Sequence, residues 1–452
     1  MARIIYAWEL GGDYGHIGSF MPLALELREQ GHEVIFVLRD LSNAETVVSK
    51  YKFSILQAPI WTAEIKGLPD PPLNYTEIIL RYGFISKPAL SALNRAWIGL
   101  FALIKPDFII ADHSPVALFS ARAVGLPRAV YGTGFCSPPH ISPMPNMRPW
   151  AKVSQKRLEE SDKHVLAIAN SLLLDMQSKA PPLQAIADLF KVDVDFLCTF
   201  PEMDHYPQRK NSSYWGPVFN IQHGKAMAWA VADVSITDVS VPDVSIPEVS
   251  VPDVSLNEKI AKQPSKKVKP TKPANLAQAR KRIFVYIKPS YKNYEKILAC
   301  LKAMSLDAKL ADVIIFSPGI SKKIIQDYEN DYLRFATEPI QLASILPSCD
   351  LAICHAGHGT MAACLMAGVP LLLLPMQLEQ FLASQRLQQL GAAKIVHLEA
   401  KEQIDYNALI TDLLSNASYK QKAQNFAAHY SKFDQANQFK AMANKIKQIL
   451  KK

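Results

Sequence analysis

Cysteine is scarce in this sequence of 452 residues, and its six cysteines follow no metal-binding or disulfide spacing. They lie at Cys136, Cys198, Cys300, Cys349, Cys354 and Cys364. Thiols scattered in this way are typical of packing residues in a reducing compartment. The sequence also shows no secretory signal at its N-terminus and no apolar run long enough to span a membrane. We therefore expect a cytoplasmic protein.

Charged residues are few as well, at 20%, whereas hydrophobic residues make up 49% of the chain. This composition is typical of globular proteins with well-packed interiors. Because 452 residues exceed the length that one hydrophobic core usually spans, we expect two domains.

Aromatic residues are missing from the most basic parts of the chain, which has a net charge of +9. Residues 257–282 read NEKIAKQPSKKVKPTKPANLAQARKR, and the chain ends in KIKQILKK. Without aromatic rings these segments cannot stack on bases, so we expect no nucleic-acid partner. Two interpretations stay open: a solvated linker and last helix, or peripheral attraction to an acidic lipid surface.

A repeat with a period of five runs through residues 231–255, VADVSITDVSVPDVSIPEVSVPDVS. No helix or strand packs with that period, and its prolines remove backbone donors. We predict an extended, low-complexity linker, or less favourably a segment that folds on binding a partner. With the basic stretch after it, the linker covers residues 220–281. It separates an N-terminal domain, 1–219, from a C-terminal domain, 282–452, whose final helix is expected to return to the first.

Strand-like and helix-like patterns alternate in both halves, which indicates α/β domains with parallel sheets. We predict a long final helix over about 419–450 and a ligand cleft at the carboxyl ends of the strands, between two Rossmann-like domains. The predicted strands are RIIYAW, HEVIFVL, FSILQA, PDFIIAD, RAVYG and VLAIAN, then RIFVYI, ADVIIFS, DLAIC and PLLLLP.

The stretch CHAGHGTMAACLMAGVPLLLLP, residues 354–375, places a glycine-containing turn between a strand and a helix. The free N–H groups and positive dipole at such a helix start suit a phosphate, and glycine allows its close approach. His355 adds a side-chain donor there. A tight turn without any ligand is the alternative.

This stretch resembles the donor-binding segment of the family-1 nucleotide-sugar glycosyltransferases, of the bacterial type. The pattern of that family is a histidine, a glycine-rich turn, Gly-Val-Pro, a proline, then an acidic residue followed by glutamine. The matching residues are His355, Gly357, Gly359, Thr360, Gly368, Val369, Pro370, Pro375, Glu379 and Gln380. The resemblance implies the GT-B fold, in which two Rossmann-like domains face each other across a cleft.

By resemblance, the diphosphate of a nucleotide-sugar donor would contact His355, Gly357, Gly359 and Thr360. Glu379 and Gln380 would bind sugar hydroxyls, since carboxylate and amide groups suit a diol. After the first strand of the second half, Ser290 could donate to a phosphate oxygen, and Lys288 either supplies charge or is a surface residue.

Two positions depart from the plant members of the family. Thr337 stands where they carry a tryptophan that stacks on uracil, and Ala363 stands where they carry a ribose-binding glutamate. The donor is therefore expected to be a UDP- or a dTDP-sugar.

GGDYGHIGSFMP, residues 11–22, resembles the N-terminal Gly-His segment of the same superfamily. The resemblance implies that His16 is the general base for the acceptor hydroxyl and that Asp112 holds its imidazole. A histidine poised near neutrality and fixed by a carboxylate suits this task. The alternatives are that His16 caps the turn or touches phosphate, that Asp112 caps a helix, and that His113 fills either role.

Together these features predict an inverting hexosyltransferase that moves a sugar from a nucleotide-sugar to a hydroxyl of a small-molecule or lipid acceptor. We expect no metal and no other cofactor, because the helix end and a histidine can carry the charge of the leaving group. An inactive transferase-like helper and a sugar-nucleotide epimerase of the same fold are the alternatives. A dinucleotide-binding loop at residues 11–18 is a weaker one.

Overall fold

The computed structural model describes residues 1–12, 15–230, 280–306, 310–397 and 403–451. The predicted pentapeptide repeats and most of the basic segment that follows them lie outside these described residues. Within them, no helix is both long enough and apolar enough to cross a membrane.

The first sheet has six parallel strands, in the order β3-β2-β1-β4-β5-β6. Its two central strands are β1 and β4, with Trp8 beside Asp112 at their carboxyl ends. The strands are β1 (Arg3–Trp8), β2 (Glu33–Leu38), β3 (Ser54–Gln57), β4 (Phe108–Asp112), β5 (Arg128–Gly132) and β6 (Val194–Leu197).

The second sheet also has six parallel strands, in the order β12-β11-β10-β7-β8-β9. The strands are β7 (Lys281–Tyr286), β8 (Ala311–Phe316), β9 (Leu333–Ala336), β10 (Leu351–Cys354), β11 (Leu371–Leu373) and β12 (Ala393–Ile395). Two doubly wound parallel sheets of this kind confirm the predicted α/β fold class.

Helices cover both faces of each sheet. They are α1 (Gly15–Glu29), α2 (Leu41–Val47), α3 (Tyr75–Ile79), α4 (Lys87–Ile104), α5 (Pro115–Val124), α6 (Gln155–Asp175), α7 (Tyr294–Leu306), α8 (Lys322–Tyr328), α9 (His358–Met366), α10 (Leu378–Leu390), α11 (Tyr406–Ser415), α12 (Ala417–His429) and α13 (Gln435–Ile449).

Two parts of the predicted secondary structure were wrong. VLAIAN, residues 165–170, is not a strand but the middle of α6, where Val165, Ala169 and Leu172 are buried at helical spacing. A short run with five apolar residues fits the period of a strand as well as that of a helix, and the longer helical pattern around it decides. The predicted helix over 419–450 is broken between α12 and α13 at residues 430–434.

The first sheet buries alternate residues of each strand on opposite faces, as a pleated strand requires. On β1, Ile5 and Ala7 join the core under α4, α5 and α6, whereas Ile4, Tyr6 and Trp8 join the core under α1. The second sheet is sandwiched in the same way, between α7 and α11 on one face and α9, α10 and α12 on the other.

The last helix packs on the first domain although it follows the second. Phe439, Met442 and Ile446 of α13 are buried in the same core as α1. A hydrogen bond from Gln438 Nε2 to the Gly216 carbonyl (2.8 Å) fixes the helix to the end of the first domain.

Residues 220–230, at the start of the segment predicted as a linker, lie along the second domain. The Lys225 N–H donates to the Pro339 carbonyl (2.8 Å), and the Lys225 carbonyl accepts from the Gln341 N–H (2.9 Å). Trp229 is buried in the core around α9.

Replacement of Gly216 tests the contact between the end of the first domain and the segment that joins α12 to α13. Its φ is +84°, and a Cβ built there would lie 2.3 Å from the Phe433 ring. We expect Gly216→Ala to lower the free energy of unfolding by about 3 kcal/mol, from backbone strain and overpacking. Denaturant unfolding would measure this.

Gly99→Ala is the matched control, because a Cβ at this α4 position meets no atom within 4 Å. It should raise stability by about 0.5–1 kcal/mol, as alanine does in a helix interior. Equal effects of the two substitutions would contradict the proposed packing of Gly216.

Candidate active site

The candidate site lies where the carboxyl ends of the central strands meet loops from both domains. In the first sheet β1 and β4 are neighbours, and in the second β7 and β10 are neighbours. In each sheet the connections from these strands run to opposite sides, which opens a crevice at the strand ends.

His16 and Asp112 meet directly. His16 Nδ1 lies 2.8 Å from Asp112 Oδ1, and the Tyr6 hydroxyl donates to Asp112 Oδ2 (2.7 Å). Because a carboxylate can only accept, Nδ1 carries the proton, which leaves Nε2 as the basic atom. The two residues predicted to act together are therefore a hydrogen-bonded pair, at the start of α1 and the end of β4.

Two glycines make room for this pair. Gly11 has φ +90°, and a Cβ built there would lie 2.5 Å from His16 Nε2. Gly132 has φ +128°, and a Cβ there would lie 3.1 Å from Asp112 Oδ1. Both positions therefore favour glycine for two reasons: the positive φ, and the lack of room for a side chain beside the pair.

Burial and Asp112 act on His16 in opposite directions. Burial lowers the pKa of the His16 imidazole, but the Asp112 carboxylate, with its hydrogen bond, outweighs this, and Glu379 adds to it. The net pKa lies above the ordinary value of 6.5. The His16 imidazole therefore holds a proton more strongly than an imidazole without such a partner.

His113, the predicted rival of His16 and Asp112, occupies a different position. Its ring centre lies 6.1 Å from that of His16, and burial lowers its pKa to about 3, with a smaller effect of His16. A group with this pKa stays neutral near pH 7, so it is not a proton acceptor of comparable strength.

The glycine turn after β10 forms a small cradle. His355 is buried, with Nδ1 3.2 Å from the Tyr286 carbonyl, which turns Nε2 toward the turn. A Cβ built on Gly357 would lie 3.6 Å from His355 Nε2 and 3.9 Å from Thr360 Oγ1. The imidazole, the hydroxyl and the start of α9 therefore converge on one point, as an anion requires.

Gly359, also predicted to contact the donor, has a second reason to be glycine. A Cβ built there would lie 3.0 Å from the Val218 carbonyl, in the segment that leaves the first domain. The close approach of two backbones explains this glycine without any ligand.

Glu379 reaches across the cleft into the first domain. The Thr133 hydroxyl donates to Glu379 Oε1 (3.1 Å), and His205 Nε2 lies 4.0 Å from the same oxygen. Burial raises the pKa of Glu379, and His16 and Thr133 partly offset this. Gln380 is oriented differently, since its Oε1 accepts from the Met376 N–H (2.8 Å).

The remaining predicted positions divide between surface and core. Ser290 is exposed, in the turn after β7 beside the His355 loop. Thr337 is exposed, whereas Ala363 is buried within the core under α9. Position 363 therefore packs the helix, which accounts for its small apolar side chain.

Sequence reasoning missed several residues that the structure brings to the cleft. Glu9, after β1, accepts from the N–H groups of Val116 (2.9 Å) and Ala117 (2.7 Å) and so caps α5. The Thr199 hydroxyl pairs with His358 Nε2 (2.9 Å) across the domains. No local pattern signals these contacts, because each joins segments far apart in the chain.

An Asp-Val-Asp sequence occurs at residues 193–195, where two carboxylates on one strand face could offer oxygens to a cation. Asp193 accepts from the Arg128 N–H (2.8 Å), and Asp195 accepts from the Ser137 hydroxyl (2.8 Å). Both carboxylates therefore hold neighbouring segments of the first domain.

Comparison with known proteins agrees with this architecture. Residues 313–433 match the family model of the erythromycin biosynthesis protein CIII-like C-terminal domain. No curated protein sequence matches the chain significantly. Solved structures match along the whole chain, and all those given below are under 25% identical.

The calicheamicin glycosyltransferase CalG4 superposes with a TM-score of 0.65 and 14% identity, over 100% of this chain and 98% of that one. The spinosyn rhamnosyltransferase SpnG gives 0.61 and 14%, over 100% of both chains. The glycosyltransferase SsfS6 of Streptomyces sp. SF2575 gives 0.56 and 16%, over 96% and 97%.

The chain has the GT-B glycosyltransferase fold. The predicted fold class is thereby confirmed, and so is the resemblance to the family-1 glycosyltransferases. At these identities the structural likeness establishes the fold, while the match over residues 313–433 covers the donor-side segment on which the resemblance was based.

Removal of the Asp112 charge tests the pairing with His16. We expect Asp112→Asn to lower the pKa of His16, because burial would then act without the opposing carboxylate. Titration of the His16 imidazole by NMR would measure it. An unchanged His16 pKa would contradict the pairing.

The His16–Asp112 pair also predicts how the stability of the fold depends on pH. Because the folded state raises the pKa of His16, its protonation stabilises the fold fully at pH values below 6.5. This contribution is lost as pH rises through the folded-state pKa. The stability difference between wild type and Asp112→Asn should therefore shrink as pH rises through that range.

Proposed function

We propose that this chain is an inverting glycosyltransferase that moves a sugar from a nucleotide-sugar to a hydroxyl acceptor without a metal. The observation that carries the proposal is the His16–Asp112 pair, which leaves His16 Nε2 as the basic atom and lies within electrostatic reach of Glu379 from the other domain. The family match and the fold support the same enzyme class.

In the proposed reaction His16 Nε2 takes the proton of the acceptor hydroxyl as its oxygen attacks the anomeric carbon. An alcohol is a poor nucleophile until a base within hydrogen-bond reach begins to remove its proton. Asp112 fixes the tautomer and stabilises the imidazolium that forms. A single displacement inverts the configuration at the anomeric carbon.

The leaving nucleoside diphosphate gains negative charge as the sugar departs. His355 Nε2, Thr360 Oγ1 and the first N–H groups of α9 converge on one point where this charge would be held. Fixed donors of this kind stabilise a developing charge without reorganisation. We assign Gly357 and Gly359 to the same cradle, and Ser290 to its rim.

Glu379 and Gln380 are proposed to bind hydroxyls of the donor sugar. They lie in the first turn of α10, and Glu379 is within electrostatic reach of His16. A sugar held there would present its anomeric carbon toward the base.

For the nucleotide we propose UDP or dTDP. SpnG is known with bound thymidine diphosphate and VinC with dTDP, which makes dTDP-sugars the first donors to test. SpnG was also solved with a spinosyn aglycone, so a small-molecule acceptor is the first choice here, with a lipid as the second. A cytoplasmic location and contact of the basic segments with acidic membranes remain predictions of the sequence.

Donor binding and proton transfer can be separated by two substitutions. Across a panel of nucleotide-sugars, His355→Ala should weaken binding about tenfold to a hundredfold, because a charge-assisted hydrogen bond is lost. His16→Ala should leave donor binding unchanged but slow transfer at least about a hundredfold. Calorimetry and release of nucleoside diphosphate would measure the two effects.

The other outcomes separate the alternatives. If no nucleotide-sugar binds, the chain is an inactive helper. If a bound sugar is epimerised without an acceptor, it is an epimerase.

Thr133 and Glu379 offer a matched pair of variants. If Glu379 binds the sugar, Glu379→Ala should raise the KM for the donor about tenfold. Thr133→Val leaves the carboxylate in place and frees it from its partner, so donor affinity should be kept or improved. Equal losses in both variants would show that the Thr133–Glu379 contact only holds the domains together.

A further inference from the structure

Helix α10, which carries the proposed sugar-binding residue Glu379, is packed against the cores of both domains. Leu378 and Leu382 lie one turn apart on one face of the helix, and both pack in the core of the first domain. Ala383 and Leu387 lie on another face and are buried in the core of the second domain. The position of this helix therefore depends on the first domain as well as on its own.

A tryptophan of the first domain also contacts α10. Trp150 is half-buried in the loop between β5 and α6, and its ring lies edge-on to that of Phe381, with the ring centres 5.0 Å apart. The ring of His397, which follows β12, lies 5.7 Å from Trp150 and 4.4 Å from Phe381. Aromatic rings in an edge-to-face arrangement attract each other beyond the effect of their burial. The three rings therefore form a contact between the domains, which we call the aromatic contact.

The loop that carries Trp150 is fixed to the rest of the first domain. Met147 is buried, and its N–H donates to the Leu73 carbonyl (2.7 Å). The Arg148 guanidinium lies 6.0 Å from the centre of the Trp150 ring, within reach of a cation–π interaction, and its Nε donates to the Pro72 carbonyl (3.3 Å). The first domain therefore determines where the Trp150 ring lies.

The same loop contacts the start of α10 as well. It begins at Thr133, whose hydroxyl donates to Glu379 Oε1 (3.1 Å). Phe381 comes directly after Glu379 and Gln380, and successive residues of a helix point about 100° apart around its axis. A contact that holds Phe381 in place therefore also sets the directions in which Glu379 and Gln380 point.

Orientation of these two side chains matters for the proposed reaction. The base His16 belongs to the first domain, whereas Glu379 and Gln380 belong to the second. A misplacement of about 1 Å between reacting groups can slow a reaction about a hundredfold. The proposed diphosphate cradle is built elsewhere, on α9 and the turn after β10. The aromatic contact is therefore placed to act on the sugar part of the donor and not on its diphosphate.

We propose that Trp150 is a positioning residue for the donor sugar. Through Phe381 it orients Glu379 and Gln380, and so it contributes to the affinity for a nucleotide-sugar but not to that for the nucleoside diphosphate alone. This inference rests on the proposed function, because it concerns the donor site of the same reaction.

The test compares two ligands that differ only by the sugar. They are a nucleotide-sugar that the wild type binds and the matching UDP or dTDP, each measured by calorimetry. We expect Trp150→Ala to weaken binding of the nucleotide-sugar about tenfold, as the loss of an aromatic contact allows, and to leave binding of the nucleoside diphosphate unchanged. The KM for the donor should rise by the same factor. Trp150→Phe keeps an aromatic ring and should restore most of the affinity.

Trp61→Ala is the matched control. Trp61 is also a half-buried tryptophan packed against the core of the first domain, so its removal makes a comparable gap. It should leave both affinities unchanged. If Trp150→Ala weakens binding of both ligands equally, the aromatic contact only holds the domains together, and the inference is overturned.

A double-mutant cycle tests whether Trp150 acts through Phe381. Phe381→Leu keeps an apolar side chain at this fully buried position but removes the ring. If the two residues act as one unit, the double variant should bind the nucleotide-sugar about as well as the weaker single variant. Losses that multiply in the double variant would show that the two act independently, which would overturn the proposed route.

Two further results separate this inference from the proposed function. Full affinity of Trp150→Ala for the nucleotide-sugar would overturn the role of Trp150 alone. Failure of the wild type to bind any nucleotide-sugar would overturn the proposed function, and this inference with it.

Discussion

The hydrogen bond between His16 and Asp112 is the constraint on which the arrangement of the first domain depends. It joins the start of α1 to the end of β4 and buries a carboxylate, which must then be fully satisfied. Tyr6 supplies the second donor from the neighbouring strand β1. Gly11 leaves room for His16 Nε2, and Gly132 leaves room for Asp112 Oδ1. The two glycines and the buried tyrosine therefore all serve one hydrogen-bonded pair at the carboxyl ends of the central strands.

The second domain completes the site through contacts that cross the cleft. Glu379 meets Thr133, and His358 meets Thr199, so each domain presents polar groups that the other satisfies. The two domains also pack tightly where Gly359 of the second lies against the Val218 carbonyl of the first. A glycine in a pattern that resembles a ligand-binding segment can thus owe its place to the close approach of two backbones.

The strongly apolar strands could be predicted from the sequence, because buried parallel strands have nearly continuous hydrophobic runs. RIIYAW and DLAIC are of this kind, and each led to a loop of the site. The short edge strands β6, β9 and β12 were missed, since three or four residues carry too little pattern. The pairing of His16 with Asp112 followed from family resemblance, whereas Glu9 and Thr133 could not be found, because their partners are distant in sequence.

Four histidines around the candidate site differ in their pKa because of the charges beside them. Burial lowers the pKa of His113, His205 and His358 to about 3, so these rings stay neutral near pH 7. His16 experiences the same penalty, yet its pKa is raised, because Asp112 supplies a negative charge at hydrogen-bond distance. The difference in chemistry therefore arises chiefly from the Asp112 carboxylate, to which Glu379 adds, and not from the imidazoles themselves. Of the four rings only that of His16 has a raised pKa, while the neutral rings around it can contribute hydrogen bonds and shape without competing for the proton.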